Sequence, residues 1–281
     1  MKRIPSVFAI AVLLLLASGQ SVGAGGPIHV MLANDDGIDA PGLAAMAAAL
    51  AADPAYRVTV VAPKHQQSVT GHSLVTRSEV EVKAHEAVAG CPAWAVAGTP
   101  ATVALVGLTA LLVDDPPQLI VSGINSGEND GLGAWTSGTV AVAREGAFAG
   151  IPAVAVSLQL DWEDPRPDFA AAARWAKPVI DAVREHGLPP ATYLNVSIPR
   201  DPGSIRGYRV ARMGLDPSEV ARYVAVRVDD DGLGTARAGV ADVVRVAAVL
   251  GHPARLNVPQ LVDAKRRHHR TPLPDGLGGN P

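Results

Sequence analysis

Cysteine is almost absent from this sequence of 281 residues, in which Cys91 is the single example. One thiol cannot form an internal disulfide, and no pattern of His or Cys surrounds it, which indicates a structural thiol rather than a nucleophile. A chain of this length can bury a core large enough to fold without cross-links. Export to an oxidising compartment is therefore compatible with the cysteine content.

Aromatic residues are scarce, at 4% of the chain, although 48% of all residues are hydrophobic. The core must therefore be aliphatic, built mainly from Ala, Val, Leu and Ile. Basic residues show no excess, since 24 Lys and Arg stand against 27 Asp and Glu. Because binding to a nucleic-acid backbone needs a positive surface, we do not expect nucleic acid as a partner.

The first 24 residues have the three-part layout of a secretory signal peptide. Lys2 and Arg3 precede an apolar run at 7–17, and Val22-Gly23-Ala24 offers small residues for cleavage. The run is too short for a stable membrane span. We predict cleavage after Ala24 and a secreted or periplasmic protein that has no membrane attachment once cleaved. A retained N-terminal anchor is the alternative.

Apolar runs of strand length alternate with helical patterns through most of the chain. This alternation predicts an α/β fold, with a mostly parallel sheet and helices on both of its faces. The predicted strands are 28–33, 56–63, 117–123, 151–158 and 193–199, and the predicted helices are 41–53, 98–112, 136–150 and 168–187. Thr99 and Pro100 form a typical helix start, and Gly150 and Gly187 typical helix ends.

The alternation breaks beyond about residue 200. We interpret 223–234 as a strand and turn, whereas 240–252 fits either a strand or a helix. The last residues, 265–281, are polar and rich in Pro and Gly, which predicts disorder. The predicted organisation is a signal peptide at 1–24, one domain at 25–264 with a C-terminal extension, and a tail at 265–281.

Polar residues follow three of the predicted strands, at the edge where parallel sheets bind ligands. Asp35 and Asp36 come after the first strand, Ser68 lies in the loop after the second, and Asn125 follows 117–123. Carboxylate, hydroxyl and amide oxygens suit Mg²⁺, Mn²⁺ or Ca²⁺ rather than a structural zinc site. Taken alone, the run Asn34–Gly37 is interpreted equally well as an acidic turn.

A second kind of site is predicted at the start of helix 136–150. Free backbone N–H groups and hydroxyls of Ser137-Gly138-Thr139 can bind a phosphate there. A simple helix cap by Thr136 or Ser137 is the alternative. A metal site and an anion site on one edge would suit hydrolysis of a phosphate ester, in which a carboxylate moves a proton.

Five motifs, in order, resemble the family of SurE survival-protein 5'-nucleotidases. They read LANDDGIDAPGL, VVAPKHQQSVTGHSL, GTPATV, IVSGINSGENDG and TSGTVAVAREGAFAGIPAVAVSL, and the resemblance spans about 28–199. It implies a Rossmann-like fold and a divalent-metal-dependent phosphatase of nucleoside 5'-monophosphates, or related phosphomonoesters. Mg²⁺ or Mn²⁺ is the expected metal, Ca²⁺ is a candidate in crystals, and the expected assembly is a homodimer or homotetramer.

The resemblance also implies roles for individual residues of this sequence. Asp35 and Asp36 would be catalytic, and Asn125 would contact both metal and phosphate. The complete implied metal-ligand set is Asp35, Asp36, Ser68 and Asn125, and the implied phosphate-binding set is Asn125, Ser137, Gly138 and Thr139.

The pocket loop departs from the family pattern. It reads DGLGAWTSG at 130–138, where family members often carry a Gly-Asp-Asp run and a Tyr before Ser-Gly-Thr. This departure keeps a second function open, a non-catalytic exported protein that binds nucleotide or phosphate on the same fold. A dinucleotide-binding oxidoreductase is disfavoured, because no Gly-x-Gly-x-x-Gly turn follows the first strand.

Other residues near these loops have two interpretations each. Trp135 could stack on a base or pack in the core. His65 and His72 could meet a phosphate, although solvated loop histidines are the favoured interpretation. Arg144 and Glu145 are expected to be surface charges on their helix.

Overall fold

A seven-stranded sheet forms the centre of the molecule. The computed structural model describes residues 26–160, 167–211, 213–214, 222–228 and 234–239. The strands are β1 (Ile28–Ala33), β2 (Tyr56–Pro63), β3 (Val82–Val88), β4 (Cys91–Val96), β5 (Leu119–Ser126), β6 (Ala153–Leu158) and β7 (Tyr193–Ile198). Their spatial order is β3-β4-β2-β1-β5-β6-β7. All neighbours are parallel except β3 and β4, which confirms the predicted α/β fold.

Within the described residues, four α-helices cover the two faces of the sheet. They are α1 (Pro41–Ala51), α2 (Pro100–Val106), α3 (Gly138–Phe148) and α4 (Phe169–His186). Alternate residues of β1 point to opposite faces. Val30 and Leu32 lie in the core that α1 and α4 cover, whereas Met31 and Ala33 lie in the core under α2 and α3. The buried side chains are mostly Val, Leu, Ile and Ala, as the composition requires.

Several helix boundaries follow the predicted local signals. The Thr99 side chain accepts a hydrogen bond from Thr102 N–H at the start of α2, and Pro100 is the first helical residue. The predicted helix 98–112 is shorter than expected, since a π-helical turn (Gly107–Leu111) replaces its second half. Gly150 and Gly187 adopt positive φ angles of 76° and 70° at the ends of α3 and α4, where a side chain would be strained.

The β3–β4 hairpin was not predicted. β3 is exposed along most of its length and reads VKAHEAV, so it lacks the apolar run that marked the other strands. β4 contains Pro92, which weakens a strand pattern. β3 is the edge strand of the sheet, where charged side chains are common, and β4 lies between β3 and β2.

The C-terminal part is described only in short segments. β8 (Arg222–Val228) and β9 (Gly234–Gly239) pair antiparallel, in agreement with the strand predicted near 223–234. By internal contacts the chain divides into Met1–Ala241 and Asp242–Pro281, and all described residues belong to the first unit. The predicted signal peptide, the segment 240–252 and the tail 265–281 lie outside the described residues. Among the helices that are described, none combines the length and the apolar character that a membrane crossing requires.

Candidate active site

The run Asn34–Gly37 forms a turn directly after β1. Asn34 Nδ2 donates a hydrogen bond to the carbonyl of Gly37, 2.8 Å away. Gly37 has a φ of 106°, and a Cβ there would lie 3.3 Å from the backbone N of Gln66. The acidic-turn interpretation is therefore confirmed. The turn also brings Asp35 and Asp36 to the carboxyl edge of the sheet, so the two interpretations are compatible.

Asp35 lies against the first residues of α3. Only 3% of Asp35 is exposed, and the Thr139 hydroxyl donates a hydrogen bond to its Oδ1. The fit leaves no space at Gly138, where a Cβ would lie 2.7 Å from the Asp35 Cβ and 2.6 Å from the Pro100 Cγ. A carboxylate at this position interacts favourably with the partial positive charge of the helix start.

Ser137 caps α3, in agreement with the helix-cap alternative to a phosphate-binding role. Its hydroxyl accepts a hydrogen bond from Val140 N–H at 3.1 Å, and the side chain is buried. Of the predicted phosphate-binding residues, Ser137 and Thr139 thus have partners within the protein. The start of α3 nevertheless lies beside Asp35, on the edge where the sequence placed an anion site.

Burial raises the pKa of Asp35 to about 6. Hydrogen bonds from Thr139 oppose the shift, and the nearby charge of Asp36 adds to it. Burial also raises the pKa of Asp36, against a hydrogen bond from Ser126. Two adjacent carboxylates whose charged forms are destabilised would be stabilised by a cation. The pair therefore fits a divalent metal ion.

Asp36 connects the end of β1 with the end of β5. Ser126 N–H donates to Asp36 Oδ2 at 2.8 Å. Asn125 precedes Ser126 and is buried, and its Nδ2 donates to the carbonyl of Gly127 at 2.8 Å. Asn125 was expected just after a strand that ends at 123. It lies within β5 instead, beyond a register shift between Ser122 and Asn125.

The loop after β2 reaches the same edge. Gln67 N–H donates to the backbone carbonyl of Asp35 at 2.7 Å. The neighbouring Ser68 is exposed, and its hydroxyl accepts from Gln66 Nε2 at 3.1 Å. In the described residues no hydrogen bond joins the Ser68 hydroxyl to Asp35 or Asp36. The structure thus brings Asp35, Asp36, Asn125 and the start of α3 together and places Ser68 on the adjoining loop.

The candidate ligands can hold a hard metal ion only if neutral amide and hydroxyl oxygens bind it together with the two carboxylates. Within the described ranges, His, Cys, Asp and Glu side chains form no cluster of three or more that could hold a metal. Two carboxylates with an amide and a hydroxyl oxygen remain, the kind of oxygen ligand that Mg²⁺ and Mn²⁺ accept. Asn34 Oδ1, also buried here, has no hydrogen-bond partner.

An open cleft of about 440 Å³ adjoins Asp36. The residues on its walls include Asp36, Gly37, Lys64, His65, Gln66 and Ser126. Lys64 Nζ lies 3.2 Å from Glu81 Oε1, and both side chains are exposed. The cleft opens to solvent and gives access to the Asp36 side, whereas the buried Asp35 is not on its walls.

His72 and Glu145 differ from the sequence interpretation. Glu145 was expected at the surface, but only 6% of it is exposed, and its Oε1 pairs with His72 Nε2. Arg144 Nη1 lies 3.0 Å from His72 Nδ1. His72 is therefore a paired residue and not a solvated one. The signal that could have revealed the contact, a His in one loop and a Glu 73 positions later, is too weak to recognise in a single sequence.

The chain is similar to several known proteins. The family model described as "Survival protein SurE" matches residues 30–219. The 5'-nucleotidase SurE of Desulfatibacillum aliphaticivorans is 41% identical over 198 residues, which cover 70% of this chain and 76% of that protein. The 5'-nucleotidase SurE 1 of Thermus thermophilus is 41% identical over 208 residues, with 73% and 78% covered.

A solved structure of a SurE protein is also similar to this chain, at the level of the fold. The SurE protein from Aquifex aeolicus matches with a TM-score of 0.62 and 32% sequence identity, covering 75% of this chain and 82% of that one. The mostly parallel seven-stranded sheet with helices agrees with this structural match. The chain belongs to the SurE survival-protein family.

Proposed function

We propose that this protein is a divalent-metal-dependent phosphatase that hydrolyses nucleoside 5'-monophosphates. The observation that carries the proposal is the pair of adjacent carboxylates, Asp35 and Asp36, at the start of α3 on the ligand-binding edge of the sheet. Relatives that are 41% identical carry the name 5'-nucleotidase, which supports the same activity here.

In this proposal one set of residues binds the metal ion and a second set binds the phosphate group. Asp35, Asp36, Ser68 and Asn125 would hold an Mg²⁺ or Mn²⁺ ion, which when bound would supply charge stabilisation for the phosphoryl oxygens and help to activate water. The start of α3, with Ser137, Gly138 and Thr139, and the Asn125 side chain bind the phosphate group.

The two carboxylates have different surroundings and therefore different roles. Asp35 is buried and accepts a hydrogen bond from Thr139, so its carboxylate cannot move far and would orient a bound ion. Asp36 is half-buried and lines the open cleft, so its carboxylate can exchange a proton with a bound substrate. A water oxygen forms a bond to phosphorus while the bond from phosphorus to the ribose 5' oxygen breaks. The Asp36 carboxylate takes the proton that the water gives up, and the ribose oxygen leaves with that proton as a hydroxyl group.

The test is phosphate release from a panel of nucleoside monophosphates. We expect release with Mn²⁺ or Mg²⁺ and its loss after a chelator is added, with recovery when the ion is restored. Asp36→Asn should lower kcat at least a hundredfold, as expected for loss of a positioned acid–base group. Asp114→Asn, an exposed carboxylate in the 112–118 segment that precedes β5, is the matched control.

Two outcomes would change the conclusion. No chelator-sensitive release from any monophosphate would falsify the phosphatase proposal. If the protein nevertheless bound nucleoside monophosphates in the presence of metal, the alternative of an exported binding protein would replace it.

We also propose that the protein is exported after cleavage behind Ala24, supported by the charged start and the apolar run at 7–17. Mass spectrometry of the exported protein should show a mature N-terminus at Gly25, whereas an intact Met1 would contradict export with cleavage. The family resemblance supports a homodimer or homotetramer. Light scattering during size-exclusion chromatography measures this directly, and a monomeric mass would contradict it.

A further inference from the structure

We propose that Trp135 is the platform on which the base of the nucleotide stacks, and that it sets a preference for nucleotides over phosphate esters without a base. This inference rests on the proposed function and concerns the substrate side of the same site. Trp135 lies in a 3₁₀ turn (Gly131–Trp135) that leads into α3, within the loop that departs from the family pattern. Core packing, the other interpretation of this residue, is excluded because 58% of Trp135 is exposed.

A chain of contacts holds the indole ring in place. The Arg144 guanidinium lies over the Trp135 ring, 5.3 Å from its centroid. Arg144 Nη1 donates to His72 Nδ1, and His72 Nε2 faces the buried Glu145. Since Arg144 can only donate, His72 must carry its proton on Nε2, which then donates to Glu145. A buried carboxylate thus orients the histidine, the histidine orients the guanidinium, and the guanidinium supports the ring.

The ring is within reach of a substrate bound at the start of α3. Only three peptide units separate Trp135 from Gly138, which contacts Asp35. Such a segment spans at most about 11 Å. The loop is also fixed from the other side, because Gly71 N–H donates to the Thr136 carbonyl at 2.9 Å. A nucleoside monophosphate whose phosphate sits beside Gly138 can therefore extend its base toward Trp135.

The chemistry of the platform suits a nucleobase. Because the indole is already exposed, stacking a flat aromatic ring on it costs little free energy, and such stacks form with every base. The Arg144 guanidinium covers one face of the ring, so a base would stack on the opposite face. The platform predicts discrimination between substrates with and without a base, and only weak discrimination among bases.

The experiment measures, by calorimetry with Mn²⁺, the affinities of non-hydrolysable phosphonate analogues of adenosine 5'-monophosphate and of ribose 5-phosphate, together with kcat/KM for the two phosphate esters. In the wild type the nucleotide should bind more tightly. In Trp135→Ala the ratio of the two affinities should fall about tenfold, the loss expected for one base–aromatic stack. Trp135→Phe keeps an aromatic ring and should retain most of the ratio.

Val113→Ala is the matched control, because Val113 is also 58% exposed but lies in the 112–118 segment that precedes β5. This variant should keep the wild-type ratio. Thermal unfolding of Trp135→Ala should match the wild type, since the side chain is largely exposed. An unchanged ratio in Trp135→Ala, or equal affinity of the wild type for both ligands, overturns the platform.

The outcomes also separate this inference from the proposed function. Base-dependent binding that Trp135→Ala abolishes, without any hydrolysis, supports the platform and contradicts the phosphatase. Hydrolysis of both esters with a ratio that Trp135→Ala leaves unchanged supports the phosphatase and contradicts the platform.

Discussion

At the scale of single residues, the site depends on how tightly Asp35 is enclosed. The carboxylate is buried, it accepts a hydrogen bond from Thr139, and it lies in van der Waals contact with Gly138. Burial alone would favour the protonated form, as its raised pKa of about 6 shows. The enclosure therefore keeps the carboxylate in one orientation at the cost of destabilising its charge, which a bound cation would offset.

Gly138→Ala should abolish most of the activity and lower the free energy of unfolding by about 1–3 kcal/mol, the usual cost of overpacking. The reason is the added Cβ, which would lie 2.7 Å from the Asp35 Cβ, so either Asp35 or the start of α3 must move. Gly133→Ala is the control, because a Cβ at Gly133 meets nothing within 4 Å. Steady-state kinetics and urea unfolding measure both effects, and full activity in Gly138→Ala would contradict the close contact.

Thr139→Val keeps the shape of the side chain and removes the hydroxyl that donates to Asp35. We expect a loss of about 1–3 kcal/mol in stability, because a buried acceptor loses its partner. Phosphatase activity should fall with it, whereas Thr139→Ser should retain most of both. Equal behaviour of the Val and Ser variants in unfolding and activity assays would show that the hydrogen bond is unimportant.

At the scale of elements, three strand ends and one helix start converge. Gln67 and Ser126 bring the loops after β2 and β5 to the Asn34–Gly37 turn, through bonds of 2.7 and 2.8 Å. α3 supplies the fourth side, and its Gly146 allows close packing on the sheet, since a Cβ there would lie 2.9 Å from the Ala153 Cβ. The position of α3 relative to β1 therefore decides the geometry around Asp35.

Ser137→Ala removes the cap of α3 and should lower stability by about 1 kcal/mol. Because the same helix start encloses Asp35, activity should fall as well. Asp168→Ala removes the matching cap of α4, whose side chain accepts from Ala171 N–H at 2.8 Å. This control should lose similar stability and keep its KM. Urea unfolding and steady-state kinetics are measured for both variants. Equal KM values for Ser137→Ala and Asp168→Ala would contradict a link between the α3 cap and the site.

At the scale of the whole molecule, the order of strands decides where the site forms. β1 lies at the centre, with β2 on one side and β5 on the other. The chain moves outward from β1 in one direction and then returns to continue in the other, which leaves a crevice at the carboxyl end of β1. The Asn34–Gly37 turn lies at that crevice.

Acidification from pH 7.5 to pH 5 should remove a stabilising contribution that the buried His29 makes to the whole molecule. Burial and the charge of Arg57 lower the pKa of His29, against contacts with Asp115 that raise it. The unfolded chain therefore binds this proton more readily, so the stabilisation is complete above about pH 6.5 and is lost as the pH falls through the lower folded-state pKa.

The measurement is urea unfolding of the wild type and His29→Gln at both pH values. Asp35, whose pKa is raised, acts in the opposite sense in both proteins, so the difference between them isolates His29. We expect acidification to lower the stability of the wild type relative to that of His29→Gln. The same change in both proteins would contradict the assignment.

The local elements could be predicted from sequence because their signals are local. β1, β2, α1 and the caps at Thr99 and Gly187 follow from short apolar runs and from residues with restricted backbone preferences. β3 could not be predicted, since it forms only because β4 offers it an edge to pair with. The end of β5 was misplaced because the shift before Asn125 depends on its pairing with β6.

The sequence by itself determined that Asp35 and Asp36 follow a buried strand and that Ser137 to Thr139 open a helix. Only the tertiary structure decided that these two segments meet, that Thr139 donates to Asp35, and that Glu145, His72 and Arg144 together support Trp135. The physical reason is that hydrogen bonds between segments far apart in the sequence, 73 residues for His72 and Glu145 and 104 for Asp35 and Thr139, arise from strand order and helix packing, which leave no trace in the local pattern of residues.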